Sequence, residues 1–387
     1  MRSFPTPSTL LPTLRRAASA LSSLALLAGC SAAVAPTPPA APAPAPAVSA
    51  EEHARLADEV RQLRAALQRY VEADVHQNDV LERQIDNLML FDRLRDVAEV
   101  DVITFTGPPP AHHVVSDNPG ANNPLKIRGY VFVPRDLDRS RRQPLIVMPH
   151  GGVHANFESG GANVVRELVQ QGYTVIAPDY RGSTGYGRGF WEEIDYGALE
   201  TEDTHAARQA ALDTYPFLDP QRVGIVGWSH GGLHALMNIF DHPEAYAVAY
   251  AGVPVSDLAF RLSYKSPGYT QLFAADYHVG KSPQEDPEAY RRRSPAFQVD
   301  RYRGTPLLIH ANTNDEDVYA VEVQRLVDAF RASGKTGWHF KLYENAPGGH
   351  AFNRIDTPLA RESRREVYRF LAPYLRPARP VGDAVRK

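Results

Sequence analysis

Short apolar runs alternate with stretches of helical periodicity over most of the chain. Near-continuous apolar runs separated by helices are typical of a largely parallel sheet covered on both faces. The pattern therefore predicts an α/β fold, opened by two antiparallel strands. The predicted strands lie at 100–105, 128–133, 144–148, 173–178, 222–227, 246–252, 306–310 and 338–343. The predicted helices lie near 163–171, 202–214, 232–240, 321–333 and 359–375.

A different pattern precedes this region. Residues 51–96 contain no proline and no glycine. Apolar residues recur there at three- and four-residue spacing, which predicts one or two amphipathic helices with an apolar seam on one side. The seam comprises Leu56, Val60, Leu63, Leu67 and Tyr70, and after a polar interruption Leu81, Ile85 and Leu88. It either packs on the following domain or pairs two copies of the chain in a coiled coil.

The amino terminus has the features of a targeting segment. Arg2, Arg15 and Arg16 precede an apolar run over 17–28, which is too short to span a membrane. The run ends in Leu-Ala-Gly-Cys, which resembles a bacterial lipobox with Cys30 as the lipidated residue. Ser31, rather than an aspartate, follows the cysteine, which favours the outer membrane as the destination.

Five segments follow from these patterns. Residues 32–48 are almost wholly Ala and Pro, which predicts a stiff tether that holds the enzyme away from the membrane. We therefore expect a signal peptide at 1–29, a lipidated tether at 30–50, a helical segment at 51–98, the α/β domain at 99–378 and a tail at 379–387.

Charge and composition exclude several classes of function. Lys and Arg (42) nearly balance Asp and Glu (45), so nothing indicates a nucleic-acid partner. Cys30 is the single cysteine, which excludes an internal disulfide and a cysteine metal site. His112 and His113 are adjacent and lack companions at metal-ligand spacing. No phosphate-binding or dinucleotide motif is present, so no cofactor is expected.

The strongest chemical signal is the sequence Gly-Trp-Ser-His-Gly-Gly at 227–232. It directly follows a predicted strand and directly precedes a predicted helix, as a nucleophile elbow requires. The tight turn demands neighbours without bulky side chains, which Gly227 and Gly231 supply. Ser229 is therefore the candidate nucleophile of an α/β-hydrolase, although a glycine turn with an incidental serine is the alternative.

A serine nucleophile needs a base and an acid that orients the base. In α/β-hydrolases the acid and then the histidine follow the serine along the chain, on loops after later strands. His350 follows the predicted strand at 338–343 and is the candidate base. Asp315, Glu316 and Asp317 follow the strand at 306–310, and the spacing alone does not choose between them.

Several of these motifs together resemble the prolyl oligopeptidase family of serine peptidases. The resemblance covers about residues 125–376 and includes His-Gly-Gly at 150–152, Tyr-Arg-Gly-Ser-Thr-Gly-Tyr-Gly at 180–187 and Gly-His at 349–350. In such relatives the acid lies three residues before a valine, so Val318 points to Asp315, with Asp317 as the alternative. The resemblance implies an α/β-hydrolase fold and peptidase activity.

The oxyanion hole is predicted less sharply. The backbone N–H of His230, next after the nucleophile, is the first expected donor. The second is expected from the loop after the strand at 144–148. In the relatives a tyrosine hydroxyl serves at the position of His150, so here the donor is the His150 ring or a backbone N–H nearby. A glycine loop needed only for packing is the alternative for this motif.

The residues before the α/β domain are too few for the β-propeller of the family's larger members, so dipeptide release and a propeller gate are not expected. Aromatic residues between 256 and 298 either wall the substrate pocket or form local core: Phe260, Tyr264, Tyr269, Phe273 and Tyr277. The prediction is a cell-envelope serine peptidase acting on a peptide or ester substrate through an acyl-enzyme. A carboxylesterase and a non-catalytic binding lipoprotein are the rival hypotheses.

Overall fold

The structure is a computed structural model in which residues 49–110 and 123–381 are described. The predicted signal peptide, Cys30, the tether, His112, His113 and most of the predicted tail lie outside these residues. The chain divides into two units, residues 1–61 and 62–387. Across the described ranges, no helix is both long and apolar enough to cross a membrane.

Helix α1 (Ala50–Leu94) begins in the first unit. Ser49 caps it, since its Oγ accepts a hydrogen bond from the N–H of Glu52 at 3.1 Å. Glu51 and Glu52 place negative charge in the first turn, where it stabilises the positive end of the helix dipole.

The second unit is built on one eight-stranded sheet, with the order β1-β2-β4-β3-β5-β6-β7-β8. The strands are β1 (Ala98–Thr106), β2 (Lys126–Pro134), β3 (Gln143–Val147), β4 (Thr174–Asp179), β5 (Leu218–Trp228), β6 (Val248–Gly252), β7 (Leu307–Asn312) and β8 (Trp338–Tyr343). Strands β1, β2 and β4 pair antiparallel, and β4, β3 and β5 to β8 pair in parallel. This is the predicted α/β-hydrolase topology, and each predicted strand is present.

Helices cover both faces of the sheet. They are α2 (Ala162–Gln171), α3 (Arg188–Trp191), α4 (Leu199–Thr214), α5 (His230–Asp241), α6 (Leu258–Tyr264), α7 (Pro267–Ala274), α8 (Pro287–Arg292), α9 (Ala320–Ser333) and α10 (Pro358–Leu375). Neighbouring strand residues point to opposite faces, so Ile225 and Val226 of β5 belong to two different core clusters. The cluster with Ile225 includes α4, α5 and α9, and the other includes α2 and α10.

The part of α1 in the second unit packs on the domain through a face of mixed polarity that is not the apolar seam. Arg83 Nε donates to the carbonyl of Gly185 at 2.7 Å, and the carboxylate of Asp86 accepts from both the N–H and the Oγ of Ser159. Only Leu90 and Leu94 of the helix are buried. The hypothesis that the apolar seam packs on the catalytic domain is therefore wrong for this part of α1, because the contacts come from another side of the helix.

Candidate active site

Ser229 lies at the junction between β5 and α5. Its backbone dihedral angles are φ 58° and ψ −122°, a strained conformation that is uncommon for a residue with a side chain. A Cβ on Gly227 would lie 1.9 Å from the carbonyl oxygen of Gly231, and one on Gly231 would lie 2.3 Å from that of Pro149. Both positions therefore require glycine, as the predicted nucleophile elbow does.

The neighbouring main chain holds this turn in place. The N–H of Ser229 donates to Gly252 O at 2.9 Å, and the Ser229 carbonyl accepts from Leu233 and Val255 at 3.1 and 3.2 Å. Gly151 closes the other side, where an added Cβ would lie 3.3 Å from the Cβ of Ser229. The loop after β3 therefore lies against the candidate nucleophile, as predicted from the His-Gly-Gly sequence.

Asp315 and His350 lie together at the ends of β7 and β8. Nδ1 of His350 is 2.9 Å from Oδ1 and 2.7 Å from Oδ2 of Asp315. The Asp315 carboxylate is buried, and its Oδ1 accepts from the N–H groups of Asp317 and Val318 at 2.8 Å each. An ionised carboxylate accepts only, so Nδ1 carries the proton and Nε2 is left to accept one.

Asp317 contacts the other nitrogen of the same ring, at 3.5 Å between Oδ2 and Nε2. Its carboxylate also pairs with Arg261 at 3.1 Å and with Lys265. Burial raises the pKa of Asp317, but its charged neighbours, Arg261 first and then Lys265, counter burial, and that pKa stays below its usual value. We refer to Asp317, Arg261 and Lys265 as the charged loop network. Asp315, not Asp317, is therefore the carboxylate in contact with Nδ1 of His350.

Ser229 and His350 are not joined directly. Among the residues that the structure describes, no hydrogen bond of 3.5 Å or less links Ser229 Oγ to the His350 ring. Catalytic hydrogen bonds are often long in free enzymes and tighten when substrate binds. The geometry thus brings two of the three predicted side chains into contact and leaves the third at the elbow.

The His150 ring faces the interior. Its Nε2 lies 2.9 Å from Ser183 Oγ, its Nδ1 lies 3.0 Å from Gly151 O, and the ring stacks on Tyr180 with centroids 4.1 Å apart. Burial lowers the pKa of His150 to about 3, so the ring is neutral. Because both ring nitrogens have partners here, the backbone N–H groups of the 150–152 loop are the better candidates for the second oxyanion donor.

Sequence reasoning named His230 only for its backbone and missed Glu200 altogether. The His230 ring contacts Gly152 O through Nδ1 at 2.9 Å and Glu200 Oε1 through Nε2 at 3.0 Å. A carbonyl accepts only, so Nδ1 must carry a proton. Burial lowers the pKa of His230 to about 3 and raises that of Glu200 well above its usual value. Both shifts favour the neutral form of each group, in which a protonated Glu200 donates to Nε2.

We call Glu200, His230 and Gly152 the neutral network. It connects α4, the residue after the nucleophile and the loop beside the nucleophile, so it ties together both sides of the candidate oxyanion hole. The sequence signal was weak, because Glu200 sits in the first turn of α4 and has no recognisable motif. Its partner is thirty positions away along the chain.

Metal binding was not expected. Within the described residues, one group of potential ligands, Glu200, His230 and His234, has ligand atoms within 4.8 Å of one another. All three side chains are buried. Hydrogen bonds already account for Glu200 and His230, and Nδ1 of His234 lies 2.7 Å from Thr204 Oγ1. The group is therefore better explained as a polar network under the elbow.

The segment between β6 and β7 packs beside the charged loop network. Arg261 of α6 is buried and contacts the Tyr269 hydroxyl at 3.1 Å, while the Tyr264 hydroxyl donates to Glu322. Phe273 is fully buried against Tyr196. Phe273 is thus local core, whereas Tyr264 and Tyr269 help to fix Arg261 next to the candidate site. Local core is thus one of the two predicted alternatives for the segment, and a wall of the substrate pocket stays a prediction.

The fold and the serine elbow define an α/β-hydrolase. The model of the "Prolyl oligopeptidase family" matches residues 162–377, more than half of the chain. The chain therefore belongs to the prolyl oligopeptidase family. This confirms the predicted family and, at the level of family, the predicted class of serine hydrolase.

Known relatives agree with this assignment. Dipeptidyl peptidase 8 of Mus musculus is 29% identical over 217 residues, covering 54% of this chain and 23% of that protein. The acylamino-acid-releasing enzyme of Rattus norvegicus is 34% identical over 137 residues, covering 35% and 19%. The crystal structure of puromycin hydrolase superposes with a TM-score of 0.57 and 25% identity, covering 72% of this chain and 39% of that one. The chain thus spans less than half the length of each.

Proposed function

We propose that this protein is a serine peptidase in which Ser229, His350 and Asp315 form the catalytic triad. The observation that carries the proposal is the contact of His350 Nδ1 with both oxygens of Asp315, at 2.7 and 2.9 Å, in a domain that also holds a serine in a strained elbow. This arrangement leaves Nε2 unprotonated, which is the state that a general base requires.

The reaction follows from these positions. Ser229 Oγ attacks the carbonyl carbon of the substrate as its proton passes to Nε2 of His350. The resulting imidazolium is stabilised by the Asp315 carboxylate, and the negative oxygen is stabilised by the N–H of His230 and a backbone N–H of the 150–152 loop. Collapse of the tetrahedral intermediate breaks the C–N bond, and the amine leaves with the proton from His350. Water then attacks the acyl-enzyme by the same proton route and releases the acid.

The neutral network assists without entering the chemistry. His230 is held at both ring nitrogens, and its Nδ1–H contact fixes the carbonyl of Gly152. The two candidate oxyanion donors are therefore held at a constant separation before substrate arrives, which is the requirement for electrostatic preorganisation.

The test compares kcat/KM on matched peptidyl amides and acyl esters, with Ser229→Ala as the control. We expect amide cleavage that disappears in Ser229→Ala, together with labelling of the folded wild-type protein by a fluorophosphonate probe. Ester cleavage without amide cleavage would make the protein a carboxylesterase. A folded protein that neither labels nor cleaves would instead fit a binding lipoprotein.

We also propose that the protein is anchored in the cell envelope, on the periplasmic side of the outer membrane, through a lipid on Cys30. The support is the order of the basic residues, the apolar run and the Leu-Ala-Gly-Cys sequence. Cells grown with labelled palmitate should incorporate the label into the wild-type protein and into Ser31→Ala, but not into Cys30→Ser. Equal labelling of Cys30→Ser would contradict the anchor.

A further inference from the structure

Helix α1 exposes an apolar seam to solvent, interrupted by the polar residues Asp74, Gln77 and Gln84. Between Gln62 and Leu94, the second-unit part of the helix, the large apolar side chains of the seam are 47–71% exposed: Leu63 69%, Leu67 63%, Tyr70 70%, Leu81 47%, Ile85 60% and Leu88 71%. Val71, Val75 and Met89 lie outside the seam and are 48%, 40% and 44% exposed. Monomeric proteins rarely expose contiguous apolar surface of this kind without a partner.

The seam follows an unbroken heptad register. Counting alternate steps of four and three from Leu63 gives Leu67, Tyr70, Asp74, Gln77, Leu81, Gln84, Leu88 and Phe91. The same register continues backwards along the sequence to Val60 and Leu56. Six of the nine core positions from Leu63 to Phe91 are apolar, and a heptad register kept over about four repeats is typical of a coiled coil.

The contacts of α1 with its own domain leave this seam free. Glu72 pairs with Arg188 at 2.6 Å, the His76 ring lies 5.6 Å from that of Trp191, and Arg83 and Asp86 make the contacts described above. These four residues and the buried Leu90 occupy the third and sixth positions of the heptad, on the side of the helix away from the seam. Asn87 and Leu94 also contact the domain, from the seventh position at one edge of the seam. A second helix can therefore cover the seam without displacing the catalytic domain.

We infer that the seam of α1 pairs with the same seam of a second copy of this chain, in an antiparallel two-helix coiled coil. The polar residues within the seam indicate that its partner is a second copy of the chain and that the two helices run antiparallel. In a parallel pair Asp74 would face Asp74 of the second copy, and like charges at such a position repel. An antiparallel pair instead places Asp74 against Gln77 of the second copy, whose amide can donate to the carboxylate.

The remaining positions fit that register. With Asp74 against Gln77, Tyr70 meets Leu81, Leu67 meets Gln84 and Leu63 meets Leu88, and each contact occurs twice by symmetry. A helix from Leu63 to Phe91 is about 43 Å long at 1.5 Å per residue, enough for the roughly 800 Å² that each partner of a stable complex buries. A membrane surface offers no partner for Asp74 and Gln77 at the centre of the seam, so it fits the seam less well than a second copy does.

The experiment measures the mass of the full chain, purified in a mild detergent, by light scattering with correction for bound detergent. We expect wild type to have twice the chain mass, and the double variant Leu67→Glu/Leu81→Glu to have the monomer mass. Val75→Glu is the matched control, since it adds the same charge on an exposed residue outside the seam, and it should remain a dimer. Retained kcat/KM shows that each variant is folded.

Direction is tested by cross-linking in a Cys30→Ser background. Two differently tagged chains, Tyr70→Cys and Leu81→Cys, should form a mixed disulfide when combined, and Leu81→Cys alone should not cross-link. A Leu81→Cys homodimer without the mixed product would overturn the antiparallel register. A monomeric wild type, or one whose seam binds phosphatidylglycerol vesicles instead of a second copy, would overturn the pairing altogether.

Discussion

Two regions beside Ser229 handle buried ionisable groups in opposite ways. On one side the neutral network holds Glu200 and His230 with no net charge, because burial raises the pKa of the acid and lowers that of the base. On the other side the charged loop network keeps Asp317 ionised by surrounding it with Arg261 and Lys265. Both arrangements avoid an unpaired buried charge, which would be costly.

The comparison between the two networks indicates which carboxylates must be ionised for the proposed function. Glu200 donates to Nε2 of His230 and also accepts from the N–H of Gly197, and an amide can likewise both donate and accept. Asp315 must accept from Nδ1 of His350, and an amide there can donate instead and reverse the tautomer. The same substitution, carboxylate to amide, is therefore expected to have very different consequences at the two positions.

The largest expected effect is that of Asp315→Asn. An asparagine that donates to Nδ1 would move the ring proton to Nε2, and the base could no longer accept the serine proton. We expect kcat to fall by about 10⁴-fold with little change in KM. Steady-state kinetics on a peptidyl amide measure this, and a loss no larger than that of Asp317→Asn would show that Asp317 is the functional acid.

The next effect is that of Arg261→Met on stability. Removing the buried guanidinium leaves Asp317 without its main partner and Glu322 without the cation 3.7 Å away. We expect the free energy of unfolding to fall by about 3–5 kcal/mol, as for other broken buried pairs. Urea denaturation at pH 7 measures it.

Arg325→Met provides the matched control for that loss. Arg325 pairs with Asp257 at 2.7 Å, but its side chain is 48% exposed. Solvent screening should limit the loss to less than about 1 kcal/mol. Equal losses of unfolding free energy in the two variants would mean that burial does not make the Arg261–Asp317 pair more stabilising than an exposed pair.

A smaller effect is the pH dependence conferred by the neutral network. In the folded protein the Glu200–His230 pair binds one proton. In the unfolded chain the two groups bind no proton above the ordinary histidine pKa of 6.5, one proton between 6.5 and 4.5, and two protons below the ordinary Glu pKa of 4.5. The contribution of this pair to the free energy of unfolding is therefore constant between pH 4.5 and 6.5, and it decreases below pH 4.5 and above pH 6.5. The slope is about 1.4 kcal/mol per pH unit.

Glu200→Gln tests this dependence, since the folded variant pair holds no titrating proton. Its stability should no longer fall above pH 6.5 on account of the pair, and its acid decline should begin near pH 6.5 rather than 4.5. Unfolding free energies measured from pH 4 to 9 give the difference between variant and wild type. We expect kcat to change by less than about tenfold. Identical pH profiles would rule out the protonated Glu200.

The smallest expected effect is that of Asp317→Asn on the rate. Asp317 lies 3.5 Å from Nε2 of His350 but does not contact Nδ1. We expect kcat to change by less than about tenfold. Steady-state kinetics on the same amide substrate measure this, and a loss near 10⁴-fold would contradict the assignment of Asp317 as a neighbour of the base.

Local signals determined how much of the site could be predicted. Ser229 and His350 follow apolar strands and sit among glycines, so their neighbours in sequence also define their positions in the fold. The choice between Asp315 and Asp317 required the direction of each side chain, which spacing does not give. The family resemblance pointed to Asp315, and the structure places that residue against Nδ1.

Long-range contacts explain what could not be predicted. The strands and the main helices were predicted from apolar periodicity because that signal lies within each element. Glu200 acts through His230, thirty positions away, so no local pattern indicates it. The amphipathic pattern of α1 was evident, but which face meets the domain depends on Arg83 and Asp86 finding partners at Gly185 and Ser159.

The close approach of Gly151 to Ser229 has a consequence for evolution. On that side the wall of the site consists of main-chain atoms, since an added Cβ would lie 3.0 Å from the carbonyl oxygen of Trp228 and 3.3 Å from the Cβ of Ser229. Gly151 contributes no side chain to this wall, so the wall cannot be changed by altering the size or charge of a side chain there. Changes in substrate preference are therefore expected to arise from side chains elsewhere around Ser229.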